Sequence, residues 1–111
     1  MDRLEKYRQI IQKFLTDLAS EENPKPDYKT QLVIDKEHDH YLLLDVGWQG
    51  LNRIHDCFLH LDIIDGKIWI QDNMTERDIA QELVNLGVLK EDIVLGLHPP
   101  YKRPYTGYGV A

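Results

Sequence analysis

Along residues 2–20 the apolar positions are Leu4, Tyr7, Ile10, Ile11, Phe14, Leu15 and Leu18, a three-and-four spacing that puts one hydrophobic stripe on a helix. Asp2 supplies a carboxylate N-cap. The helix is expected to end in Glu21-Glu22-Asn23-Pro24-Lys25-Pro26, where two prolines remove backbone donors and hold the preceding residues extended. The period then changes. Tyr28 to Asp35 alternates Tyr28, Thr30, Leu32 and Ile34 with Lys29, Gln31, Val33 and Asp35, a half-buried strand. Lys36 to Asp39 is a polar turn. His40 to Gln49 is denser, with Tyr41-Leu42-Leu43-Leu44 followed by Val46 and Trp48, as suits an interior strand. After the turn Gln49-Gly50-Leu51-Asn52, Arg53 to Asp65 alternates again. Unbroken, that alternation places Cys57, Leu59, Leu61 and Ile63 on one face, and Asp56, Phe58, His60, Asp62 and Ile64 on the other. Asp65-Gly66 tolerates the positive φ of a type I′ hairpin turn, and Lys67 to Gln71 returns as a fourth strand.

Connections this short cannot hold the roughly dozen residues of a parallel crossover, so the four strands should form an antiparallel meander. Thr75 and Asp78 resemble a capping box ahead of a second helix, Glu76 to Leu86, which would bury Ile79, Leu83 and Leu86 and end with Gly87 at C′. Lys90-Glu91-Asp92 suits one helical turn and Ile93-Val94-Leu95 a short buried segment. Pro99, Pro100 and Pro104 keep the tail extended. The pattern predicts a single α+β domain over residues 1–111. Its parts are an N-terminal helix, an antiparallel sheet of four or more strands and a second helix packed on the sheet.

Composition agrees with one soluble domain: 111 residues, 42 % apolar and 29 % charged. Cys57 is the only cysteine, which excludes an intrachain disulfide and a cysteine zinc cluster. Its apolar surroundings make it a quiet core thiol. No window approaches the roughly 18 apolar residues of a membrane span and no apolar leader follows Met1, so a cytoplasmic protein is expected. Charge changes the picture more. Nineteen acids stand against thirteen bases, a net −6, and the excess lies in residues 24–92, with fourteen acids to seven bases. Residues 93–111 carry only Lys102 and Arg103. Two cations release too few counterions to hold duplex DNA at physiological salt, so direct nucleic-acid binding is disfavoured. The competing reading joins Lys102 and Arg103 to Arg53 or Arg77 in one basic patch.

Candidate chemistry is sparse. His38 and His40 flank Asp39 as a His-x-His pair, and His60 shares a strand face with Asp62 and Asp56. An enzyme or metal-dependent factor would draw on His60, Asp62 and His98. Yet no zinc spacing such as His-Glu-x-x-His occurs, and polar residues on a solvated sheet face give the same pattern. There is no Gly-x-Ser-x-Gly elbow and no glycine cluster ahead of a helix. No catalytic residue, metal or cofactor is therefore expected. Trp48 and Trp69 are expected in the core, whereas Tyr101, Tyr105 and Tyr108 suit a protein interface.

Longer runs say more. Asp39-His40-Tyr41 with Leu44, Val46-Gly47-Trp48, His60-Leu61-Asp62-Ile63, Asp65-Gly66-Lys67-Ile68-Trp69-Ile70-Gln71, Thr75-Glu76 with Asp78-Ile79-Ala80, and Lys90 to Gly96 running into His98-Pro99-Pro100 resemble the XisI family. Its members are small controlling factors of fdxN element excision. The likeness is nearly full length, with departures at Leu97 and Gly107-Tyr108-Gly109. It implies an XisI-like fold and a non-enzymatic accessory role in programmed excision of a DNA element, without established catalytic residues. The implied partners are a site-specific recombinase and an XisH-like companion protein. An acidic factor would dock on a basic partner surface rather than on DNA. The candidate functional or interface residues are then His60, Asp62, Trp69, His98, Tyr101, Lys102, Arg103 and Tyr105, in a homodimer formed through a sheet edge or the aromatic tail.

Overall fold

The apolar stripe of the first segment folds as α1 (Arg3–Glu21) in the computed structural model, which describes residues 2–21 and 27–110. Asp2 caps it, its Oδ1 accepting the Glu5 N–H at 2.8 Å. The proline connection over residues 22–26 lies outside the described residues. The strands follow as β1 (Tyr28–Asp35), β2 (His40–Gln49), β3 (Asn52–Ile64) and β4 (Lys67–Asn73). Asp65 and Gly66 both take positive φ, 52° and 78°, in the β3–β4 hairpin. The sheet order is β1-β2-β3-β4-β5, antiparallel through β4. The last strand, β5 (Ile93–Val94), runs parallel to β4. It does so because α2 (Ile79–Asn85) intervenes, giving the chain the length for a crossover.

One sheet face is covered and the other is open. α1 packs over β1 and β2, and its buried Tyr7, Ile11 and Leu15 join Tyr41, Leu43, Leu59, Leu61, Ile68 and Ile70 in one core with Ile79 and Leu83. We call that side the inner face. Three expectations change. α2 starts after Asp78, whose Oδ1 accepts the Gln81 N–H at 3.1 Å, while the Thr75 hydroxyl turns back to Asn73. Asp78 sits at the better capping distance, so the helix is shorter than the periodicity suggests. It closes with Gly87 at φ 112°, the Gly87 N–H on Val84 O and the Val88 N–H on Leu83 O, a Schellman finish. Leu86, at the cap itself, is 49 % exposed rather than buried. The tail is not extended: Pro100–Tyr105 form a 3-10 turn, since a proline φ suits the first helical position as well as extended chain.

A β-bulge makes the fourth correction and governs the open face. The turn sets Gln49 opposite Asn52, and an unbroken ladder would carry His40 to Leu61. Instead Leu44 faces Cys57 while Leu43 faces Leu59, so Phe58 is the extra residue and His40 faces Asp62. Phe58 packs against the core. Cys57 shares the outer face with Leu44 and is only half-buried, rather than sitting in the core as its alternation suggests.

Where α1 crosses the β1–β2 turn, Arg8 grips Asp39 with two bonds, Nε to Oδ1 at 2.8 Å and Nη2 to Oδ2 at 3.0 Å. The Tyr41 hydroxyl donates to the same carboxylate at 2.9 Å. The Arg8 guanidinium holds the Asp39 carboxyl below its usual range against the opposing effect of burial. A group depressed on folding contributes stability that is full above its unfolded pKa of about 3.9 and is lost as pH falls through the folded value. Arg8→Gln should therefore be least stable relative to wild type near neutrality, and the gap should narrow below about pH 4. Urea titrations across that range check it; a gap that widens in acid would refute the assignment.

Candidate functional site

The outer face gathers the titratable residues. The bulge in β3 brings His40 directly opposite Asp62, and His60, two residues earlier on β3, shares the face. A second irregularity lies between β3 and β4. Leu61 faces Ile70 but His60 faces Asp72, which leaves Gln71 as the extra residue. Its Nε2 donates to Asp62 Oδ2 at 3.2 Å. The other carboxylate oxygen, Oδ1, lies 2.8 Å from His40 Nδ1 and 2.7 Å from His60 Nε2. An ionised carboxylate only accepts, so each ring carries its proton on the nitrogen that faces Asp62.

Asp62 is 6 % exposed, the more solvent-shielded partner of two partly open histidines. Burial pushes its carboxyl up, but the bonds from His40, His60 and Gln71 together outweigh burial and hold it below the usual range. The bond to Asp62 raises His40 in turn. The two rings meet edge-on at 6.3 Å. His38 stacks on His40 at 6.4 Å, while its own Nδ1 lies 2.9 Å from Asp35 Oδ2. Among the described residues, His40, His60 and Asp62 form the set whose ligand atoms come within 4.8 Å of one another.

Gly96 holds the far side of the cluster. A Cβ there would stand 2.6 Å from Gln71 Oε1 and 3.0 Å from the Trp69 ring, so the bare backbone allows that segment to close over both side chains. Trp69 faces Asp62 across β3 and β4, and Arg103 from the tail lies over its ring at 5.0 Å. The Arg103 Nε is buried without a hydrogen-bond partner.

The structure thus joins His60, Asp62, Trp69 and Arg103 on one face. Tyr101, Lys102 and Tyr105 stand on the adjoining 3-10 turn, with Tyr101 71 % and Tyr105 89 % exposed. His98 is elsewhere, beside Asn73, Arg77 and Tyr108 in a groove of about 300 Å³. The alternative grouping of His60, Asp62 and His98 is not assembled; His40 stands with His60 and Asp62 instead. Trp69 is half-buried on the outer face rather than in the core, and Trp48 is 52 % exposed under Arg53 at 5.5 Å. The cations of the alternative basic patch each have a local partner: Arg53 on Trp48, Arg77 on Glu82, Lys102 near Tyr101 and Arg103 on Trp69. A larger groove of about 410 Å³ lies between α1 and α2. Its chemistry is Phe14, Leu18 and Leu86 beside the Arg77–Glu82 pair, with no histidine.

A family model described as XisI protein matches residues 1–110. The chain belongs to the XisI family. Two crystal structures from Anabaena variabilis ATCC 29413 are similar to it. An XisI-like protein, 56 % identical, superposes with a TM-score of 0.94 over 97 % of this chain and 99 % of its own. The fdxN element excision controlling factor XisI, 38 % identical, superposes with a TM-score of 0.87 over 99 % of this chain and 100 % of its own. No curated protein matches. The XisI-like α+β architecture expected from the residue runs is the one observed. Two of those runs, His60 to Ile63 and Asp65 to Gln71, form the end of β3, the hairpin and β4 that build the outer-face cluster. No helix among the described residues is long and apolar enough to cross a membrane.

Proposed function

We propose that this XisI-family protein is a non-enzymatic accessory factor in programmed excision of a DNA element, acting in the cytoplasm as a homodimer by binding an XisH-like companion or a site-specific recombinase. The observation that carries the reading is the end-to-end likeness to an fdxN excision controlling factor. The surface supports a protein partner over DNA. Trp48, Val33 and Ile64 leave apolar area exposed on the outer face, and Tyr101 and Tyr105 project from the tail. The net charge of −6 repels phosphate and suits a basic protein surface.

Co-expression with the companion protein, followed by affinity purification and light scattering, tests the reading. The expected result is a stable complex with two copies of this chain, lost on Tyr105→Ala combined with Tyr101→Ala. Failure to associate removes the mechanism. A salt-sensitive gel shift by this protein alone, at micromolar concentration or tighter, would favour direct DNA binding instead.

A further inference from the structure

The geometry points to a divalent transition-metal site on the outer sheet face, formed by His40 Nδ1, His60 Nε2 and an Asp62 carboxylate oxygen. Both ring nitrogens aim at one oxygen, at 2.8 and 2.7 Å, and all three ligand atoms lie within 4.8 Å of one another. A tetrahedral zinc ion with bonds of about 2.1 Å spaces its ligands about 3.4 Å apart. The nitrogen–oxygen separations of 2.8 and 2.7 Å must open by about 0.6–0.7 Å to admit it, which rotations of two partly exposed rings supply.

The surroundings are those of a ligand set rather than of sheet packing. Asp62 is buried on the outer face, across from Trp69 on β4, where an apolar residue would cost less. Gln71 fixes Oδ2 from behind, with the Gly96 backbone packed close against its Oε1, which leaves Oδ1 to the histidines. Two imidazoles and one carboxylate select zinc, ferrous iron or a neighbouring first-row ion over magnesium or calcium, which favour oxygen ligands throughout. With three protein ligands, further coordination positions fall to water on the exposed side of His40. On binding, each coordinating nitrogen gives its proton up to solvent and the ring carries its one proton on the other nitrogen.

Equilibrium dialysis of chelator-stripped protein against Zn²⁺ tests this. One ion per chain is expected, weakened at least about tenfold by Asp62→Asn and by His40→Ala, with His98→Ala binding as wild type. Excess Mg²⁺ should not displace it. Circular dichroism confirms that the variants fold, and if Asp62→Asn does not, the partly exposed His40 still decides. The site is overturned by three results: no saturable zinc uptake in the wild type, uptake unchanged in His40→Ala, or equal competition by Mg²⁺. Because these rest on the donor set alone, failure to find a protein partner leaves the inference standing, and failure to bind zinc leaves the partner reading standing.

Discussion

Gly47→Ala is expected to destabilise the protein by about 3 kcal/mol, combining backbone strain with a clash that cannot relax locally. Gly47 sits at φ 152°, and a Cβ there would stand 2.4 Å from Asp27 O and 2.5 Å from Tyr28 Cα. These are backbone atoms, with no flexible end to swing aside. The same Asp27 oxygen accepts the Trp48 N–H at 2.7 Å, and Tyr28 is the ladder partner of Gly47. Relief therefore requires β1 to part from β2 where their pairing begins. Gly50→Ala is the control. Its φ is 62° and nothing lies within 4 Å of the added carbon, so only the left-handed cost of about 1 kcal/mol remains. Urea midpoints of the two variants decide the matter: equal, small losses would show that the close approach of β1 is not what fixes glycine at 47.

The contrast between those glycines marks what the sequence makes legible. Gly66 and Gly87 announce themselves by local pattern, an Asp-Gly hairpin and a helix C′, and both stand in those places at positive φ. The bounds of β1 follow from period-two alternation, those of β2 from a dense apolar run between polar turns, and the buried stripe of α1 from the 3.6 period, because each reports burial over several residues at once. Gly47 and Gly96 are different: what makes them glycine is a neighbour from another part of the chain.

The site is illegible for a related reason. His60 and Asp62 declare a shared face by spacing alone, but His40 joins them only through the extra residue at Phe58. Read without that bulge, the strands send His40 to Leu61 and Cys57 to the core. His40 then looks like the partner of His38, two positions away, rather than of an aspartate twenty-two positions away. Gln71 reaches Asp62 through a second irregularity of the same kind. Bulges leave no compositional mark in this chain, so a one-residue slip hides the whole cluster while leaving every strand recognisable. The parallel β5 is hidden similarly, being two residues long and set in place by the crossover that α2 supplies.

Adjacent residues on β3 should therefore separate fold from site. Leu61→Ala is expected to lower unfolding free energy by about 2–5 kcal/mol, because Leu61 is fully buried on the inner face between Tyr41 and Ile70 and its loss leaves a cavity. That is a large share of the roughly 5–15 kcal/mol available to a domain of this kind. Asp62→Asn faces the other way and nearly preserves shape. It removes the charge that two rings and Gln71 share, at a cost of about 1–2 kcal/mol. Zinc uptake should show the reverse order, kept by folded Leu61→Ala at low temperature and lost by Asp62→Asn. Denaturant curves and dialysis on the same two preparations give both readouts. If Asp62→Asn unfolds as readily as Leu61→Ala, the carboxylate is chiefly a clasp that ties β2, β3 and β4 together, and its burial on the open face then needs no ion to account for it.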